Sequence, residues 1–145
     1  MLPGALRRFM LLTDLGFLLY WGVTLLHLIP ARWLFKDYDD SLLQSWNWSF
    51  LPLDLLVTGA GLTALVLARR EDVRARSAAL LSLTLTSASG LMAVSFWALR
   101  RDFDPIWWLP NLVLFFGPFR FLGELVRPPS EAPVREANPL TPSRP

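Results

Sequence analysis

The sequence predicts an all-α protein, an integral membrane four-helix bundle arranged as two pseudo-repeated helical hairpins. Three observations predict it. Four apolar runs, Phe9 to Ile29, Phe50 to Ala68, Ala78 to Leu99 and Ile106 to Val126, each approach the roughly 20 residues a bilayer-spanning helix needs. The charges fall almost wholly between those runs and the mean hydropathy is positive, as expected where charge inside hydrocarbon is expensive. Finally, two segments repeat each other. Lys36-Asp37-Tyr38-Asp39 leads through an aromatic stretch to Leu51-Pro52-Leu53-Asp54, and Arg101-Asp102-Phe103-Asp104 leads to Leu109-Pro110-Asn111. Each copy bridges two apolar runs, so each hairpin has an acidic outer loop and a Leu-Pro opening to its returning helix.

The first span is too long for a signal-peptide core, and Leu28-Ile29-Pro30-Ala31-Arg32-Trp33 after it lacks a convincing small-residue cleavage site, so it is read as a retained helix. The connections at 69–77 and 100–105 are short, which makes successive helices antiparallel neighbours. Both repeats then enter the membrane in the same direction, with a pseudo-twofold axis along the membrane normal. In the third span Ser82, Thr86 and Gly90 recur every four residues beside Ser89 and Ala93, a strip of small side chains that lets backbones approach. Thr84, Ser87 and Ser95 on the same helix are the alternative, as lining for a polar cavity.

Orientation follows from the basic residues. Arg7, Arg8, Arg69, Arg70, Arg74, Arg76, Arg127, Arg135 and Arg144 flank one side, against Arg32, Lys36, Arg100 and Arg101 on the other. This bias predicts a multi-pass protein of the cell membrane with both termini cytoplasmic. The net charge of +2 is thus a topology signal, and nucleic acid is not expected as a partner. No cysteine occurs, so thiol and disulfide chemistry are absent. Residues 1–126 form one membrane domain; residues 127–145, rich in Pro, Ser, Glu and Arg, are expected to be a disordered cytoplasmic tail.

Five ionisable residues lie within the runs: Asp14, His27, Asp54, Arg120 and Glu124. At about 1.5 Å per residue from the run ends, Asp14 and Arg120 lie roughly 7 and 9 Å inside the cytoplasmic edge, and Asp54 about 6 Å inside the outer edge. Asp14 and Asp54 are then about 16 Å apart in depth in a core of about 30 Å, too far to share a proton. Asp14, Arg120 and Glu124 are instead read as a structural ion pair between the first and last helices.

The outer end is richer. His27, Asp54, Asn111, Asp37 and the other loop acids map there with Trp48, Trp97, Trp107 and Trp108, whereas the cytoplasmic ends carry no tryptophan. An interfacial belt would be more balanced. The skew points to an aromatic and acidic cavity, and aromatic faces beside a carboxylate suit a hydrophobic amine. Asp54 would be the anchor, His27 and Asn111 its polar neighbours, and the four tryptophans its walls. A His27–Asp54 bond would either position a proton donor or tie the first helix to the second. A lone histidine among carboxylates without ligand spacing is no metal site, no nucleophile elbow is present, and no cofactor is expected.

The stretches Thr13-Asp14-Leu15-Gly16-Phe17, Leu26-His27-Leu28-Ile29-Pro30, Trp46-Asn47-Trp48-Ser49-Phe50-Leu51-Pro52-Leu53-Asp54-Leu55 and Asp102-Phe103-Asp104-Pro105-Ile106-Trp107-Trp108-Leu109-Pro110-Asn111 resemble the YvaD-like family of small bacterial four-helix membrane proteins. That resemblance covers nearly the whole chain except the tail and implies a fold but no activity. More distantly, Phe35-Lys36-Asp37, Leu42-Leu43-Gln44, Trp46, Ser49-Phe50-Leu51, Asp54 and the Pro110 to Pro118 segment resemble the emopamil-binding (EXPERA) superfamily. Its members bind sterols and lipophilic amines in an intramembrane cavity, and some isomerise sterol double bonds. The resemblance implies that Asp54 matches the acid of their second helix and Asp37 a loop acid. This chain lacks the second-helix histidine and the third-helix carboxylate of the isomerases, so binding is expected rather than catalysis. The expectation is a membrane protein that binds a lipid or lipophilic small molecule. The alternatives are a lipid or sterol-type isomerase and an accessory subunit docking a partner helix or a second copy.

Overall fold

The computed structural model describes residues 2–33 and 37–126, and every regular element among them is helical. In chain order these are α1 (Gly4–Leu25), a short 3-10 turn (Ala31–Trp33), α2 (Ser41–Trp48), α3 (Phe50–Arg69), α4 (Arg74–Leu99), α5 (Pro105–Phe116) and α6 (Phe119–Val126). Four stretches, Gly4–Leu25, Ser41–Arg69, Arg74–Leu99 and Pro105–Val126, are long and apolar enough to cross a membrane. The chain is a multi-pass membrane protein with an all-helical, four-span fold. The 127–145 tail and Lys36 lie outside the described residues.

α1 packs on α3, α3 on α4, and α4 on α5 and α6, with α2 lying against α3. The bundle has an apolar core at the end where α1 begins and α6 ends. Leu6, Met10, Ala64, Ala79, Leu83, Phe121 and Leu125 are buried together there, and the Phe9 and Phe121 rings meet at 5.6 Å between centroids. The outward faces are equally apolar. Leu12 and Leu19 on α1 and Ile106, Leu109, Val113 and Phe116 on α5 are mostly exposed, a surface that suits acyl chains.

α1 begins at Gly4 rather than Phe9 and stops at Leu25 rather than Ile29. Its end is a Schellman turn. Leu28 N–H bonds to the Val23 carbonyl at 3.1 Å and His27 N–H to that of Thr24 at 3.3 Å, with His27 in the left-handed region at φ 51°. The same closure ends α3, where Asp72 bonds back to Leu67 and Glu71 takes φ 56°. It also ends α4, where Asp102 bonds back to Trp97 and Arg101 takes φ 56°. Glycine is the usual residue at such positions because it has no Cβ to clash. Here a polar residue holds all three, which hid the helix ends from a search for glycine.

The two repeats become unequal structures. Asp40 caps α2, accepting from Leu42 and Leu43 N–H, and Asp104 caps α5, accepting from Ile106 N–H, so both loops supply a helix cap. Only the first copy inserts the extra helix α2. Pro52 then falls in the first turn of α3, where its missing N–H costs nothing, whereas Pro110 lies inside α5. Between α3 and α4, Arg74 grips the Asp72 carboxylate at 2.8 Å and holds it down to about 2 by hydrogen bonding.

The small-residue strip of α4 is a packing surface. A Cβ on Gly90 would lie 2.5 Å from Phe115 N and 2.6 Å from the Asn111 carbonyl oxygen, so α5 passes in backbone contact. Ser87 donates to the Phe115 carbonyl at 2.9 Å, fixing α5 from the other side of the same approach. Thr86 donates to the Ser82 carbonyl in its own helix at 2.8 Å.

Candidate functional site

α1 and α3 run antiparallel, and their register sets the site. Trp21 meets Asp54 while Asp14 meets Gly61; seven residues separate each pair along its helix. Asp54, Thr58 and Gly61 form one buried strip of α3. Polar side chains thus run through the interior from the middle of the bundle toward the end that carries the α1–α2 and α4–α5 connections.

Asp54 is the junction of three helices. Trp21 Nε1 on α1 donates to its Oδ2 at 2.9 Å, and Ser89 Oγ on α4 donates to its Oδ1 at 3.1 Å. The carboxyl is 5% exposed. The two donors, one to each oxygen, tie α1 and α4 to α3 at this point.

Aromatic rings close over this junction. Trp21 packs against Trp48 at 5.6 Å and against Tyr20 at 5.1 Å, and Tyr20 OH donates to Asn47 Oδ1 on α2 at 2.9 Å. Farther toward the loops, Trp46 stacks on Phe96 at 3.9 Å and meets Trp97 edge-on at 5.6 Å. The short α2 exists to carry these rings. Capped by Asp40, it lays Trp46, Asn47 and Trp48 against α1 and α4 just before the chain turns into α3.

The expected residues divide. Trp48 packs on Trp21, which itself reaches Asp54, and Trp97 is buried in the neighbouring aromatic layer. His27 does not reach Asp54. It stands exposed beyond the end of α1 with Nδ1 3.1 Å from the Leu25 carbonyl, because the Schellman turn takes the chain out of the helix before it. Asn111 donates to the Trp107 carbonyl of its own helix at 2.7 Å. Trp108 is spent on its own loop, donating to the Asp102 carbonyl at 2.7 Å and packing on Phe103, and its neighbour Trp107 is half-buried. Asp37 is exposed in a turn at φ 53°.

The expected ion pair does not form either. Asp14 is fully buried with neither oxygen hydrogen-bonded, whereas Arg120 and Glu124 are exposed. The cause is the break at Gly117 and Pro118, after which α6 turns Phe121 and Leu125 inward and Arg120 and Glu124 outward. Arg76 on α4 binds the carbonyls of Leu125 and Glu124 instead, closing the end of α6. The earlier start of α1 also deepens Asp14. It lies about 15 Å from Gly4, near the midpoint of the helix, and the α3 register puts it roughly 10 Å from Asp54 in depth.

The outer aromatic cluster read from the sequence includes Trp21, and the residues that complete the site beyond that reading are Ser89 and Asn47. Ser89 belonged to the small-residue strip, and only the tertiary register shows that its hydroxyl serves Asp54. Among the described residues, no group of three or more His, Asp or Glu side chains is placed to hold a metal ion.

Comparison with known proteins agrees with this architecture without assigning chemistry. Residues 6–132 match the family model described as "Family of unknown function (DUF5360)". The chain is 44% identical over 122 residues to the "Uncharacterized protein YvaD" of Bacillus subtilis (strain 168), covering 84% of this chain and 92% of that one. No solved structure matches. With the family model spanning all four helices and a relative of that identity along nearly its full length, the chain belongs to the DUF5360 family, that of YvaD.

Proposed function

We propose that this protein binds a lipophilic or amphipathic small molecule within the membrane, and that the ligand class is a hydrophobic amine or amine-bearing lipid. The observation that carries the reading is the Asp54 carboxyl, buried between α1, α3 and α4 and hydrogen-bonded on both oxygens, one of them by Trp21, which packs in turn on Trp48. Each oxygen retains a free lone pair for an ammonium N–H. The surrounding low dielectric strengthens the charge pairing. Trp48, half-buried at the edge of the cluster, is the ring that yields to admit the ligand. An isomerase would require a proton donor beside Asp54, and His27, bonded beyond the helix end, offers no support for one.

Titration of the purified protein with long-chain alkylamines and with alcohols of equal chain length, followed by tryptophan fluorescence, separates charge recognition from hydrophobic partition. The amine is expected to bind at least tenfold more tightly, about 1.4 kcal/mol, and Asp54→Asn is expected to erase that margin. Equal binding of amine and alcohol by the wild type would refute charge recognition at Asp54.

A further inference from the structure

Asp14 is the other buried carboxyl, and its surroundings are the opposite of those of Asp54. It is 0% exposed, and neither oxygen has a hydrogen-bond partner. The group sits in a notch that α3 leaves open by carrying glycine at position 61. A Cβ there would lie 2.6 Å from Asp14 Oδ1 and 2.7 Å from its Cγ. One turn along the same α3 strip, the Thr58 hydroxyl is also buried without a partner. Two unpartnered polar side chains on adjoining turns of one interface are rare, since buried polar groups are nearly always hydrogen-bonded.

No countercharge faces the carboxyl. On α1 the nearest charged residues are Arg8 and Arg7, exposed toward the N-terminus. On α3 they are Asp54, engaged by Trp21 and Ser89, and Arg69, exposed at the helix end. Residues 77–99 of α4 and all of α5 carry no charge. On α6, Arg120 and Glu124 are exposed. A carboxylate at the middle of a span without a partner is among the most costly arrangements in a membrane, and a neutral acid avoids that cost. A metal cation is poorly served as the alternative. The only buried side-chain oxygens left unpartnered among the described residues are the two of Asp14 and the one of Thr58, few beside the six or so oxygen ligands a hard cation takes.

We infer that Asp14 is an intramembrane proton-binding site, its carboxyl seated as the neutral acid in the Gly61 notch at the centre of the α1–α3 interface. Release of the proton then requires α1 and α3 to part or water to enter between them, so ionisation of Asp14 is coupled to opening of that interface. This inference is independent of ligand binding at Asp54.

Infrared spectroscopy of the full chain in lipid bilayers at neutral pH tests it directly. The expected spectrum holds a carboxylic acid C=O band, at the high frequency of an acid without hydrogen bonds, that Asp14→Asn removes. The band is expected to persist unchanged when choline chloride is replaced by sodium chloride. Retention of the full acid-band intensity in Asp14→Asn, or loss of the wild-type band on adding sodium at constant pH, would overturn the assignment. Should Asp14→Asn fail to fold, 13C-aspartate in the Asp54→Asn background reads the same group. An isotope-shifted acid band supports the site, and its absence overturns it.

Discussion

At the residue scale, the interior is governed by how two carboxyls are satisfied. Asp54 has a donor for each oxygen, and removing either leaves a buried acceptor bare at a cost of about 1–3 kcal/mol. Trp21→Phe and Ser89→Ala are each expected to lower the thermal unfolding midpoint in detergent, whereas Ser95→Ala, at an exposed position, is expected to leave it unchanged. Asp54 and Asp14 were both visible in the sequence as ionisable residues in apolar runs, and so was the skew of the tryptophans toward the outer end. Their partners were not visible. The pairing of Trp21 with Asp54 and of Asp14 with Gly61 depends on the rotation and register of α1 against α3, and a polar residue in a span carries no mark of which neighbour it will meet. His27 was misplaced because its nominal depth assumed a helix that in fact ends at Leu25.

At the element scale, two devices set where helices stop and how closely they lie. Gly90 lets α5 approach α4 to backbone distance, and the atoms its Cβ would strike are main-chain atoms that cannot rotate away. Gly90→Val is therefore expected to cost about 1–3 kcal/mol in the same thermal assay. The Schellman turns act in the opposite direction. Glu71 sits at φ 56° in the exposed α3–α4 connection, so Glu71→Gly is expected to stabilise the fold by roughly 0.5–1 kcal/mol. The four spans were legible because hydropathy needs only composition over about 20 residues. The break at Gly117 and Pro118 was not used in the sequence reading, and it is what turns Arg120 and Glu124 away from Asp14. The two segments of the repeat become different objects: the cap of α2 is Asp40, one residue beyond the repeat, whereas the cap of α5 is Asp104 within it, and only the first copy carries α2.

At the scale of the whole molecule, four antiparallel spans bring the start of α1 and the end of α6 to one end, where an apolar cluster is buried, and place the buried carboxyls and most of the aromatic residues from the middle toward the other. Reporter fusions at Met1 and at Pro145 are expected to show the same side of the membrane, with a reporter in the α4–α5 loop on the opposite side. We propose, from the basic flanks, that the side of the termini is cytoplasmic, which the same fusions test. The division into an apolar end and a polar end is what makes a binding site the best reading of the fold, and its test is chemical. Mass spectrometry of small molecules that co-purify in mild detergent with the wild type and with an equally folded Asp54→Asn variant measures it most directly. The expected result is a discrete amine-bearing species held by the wild type and depleted in the variant. Indistinguishable profiles made only of bulk lipid would contradict the site and leave Asp54 as the polar knot that ties α1, α3 and α4 together.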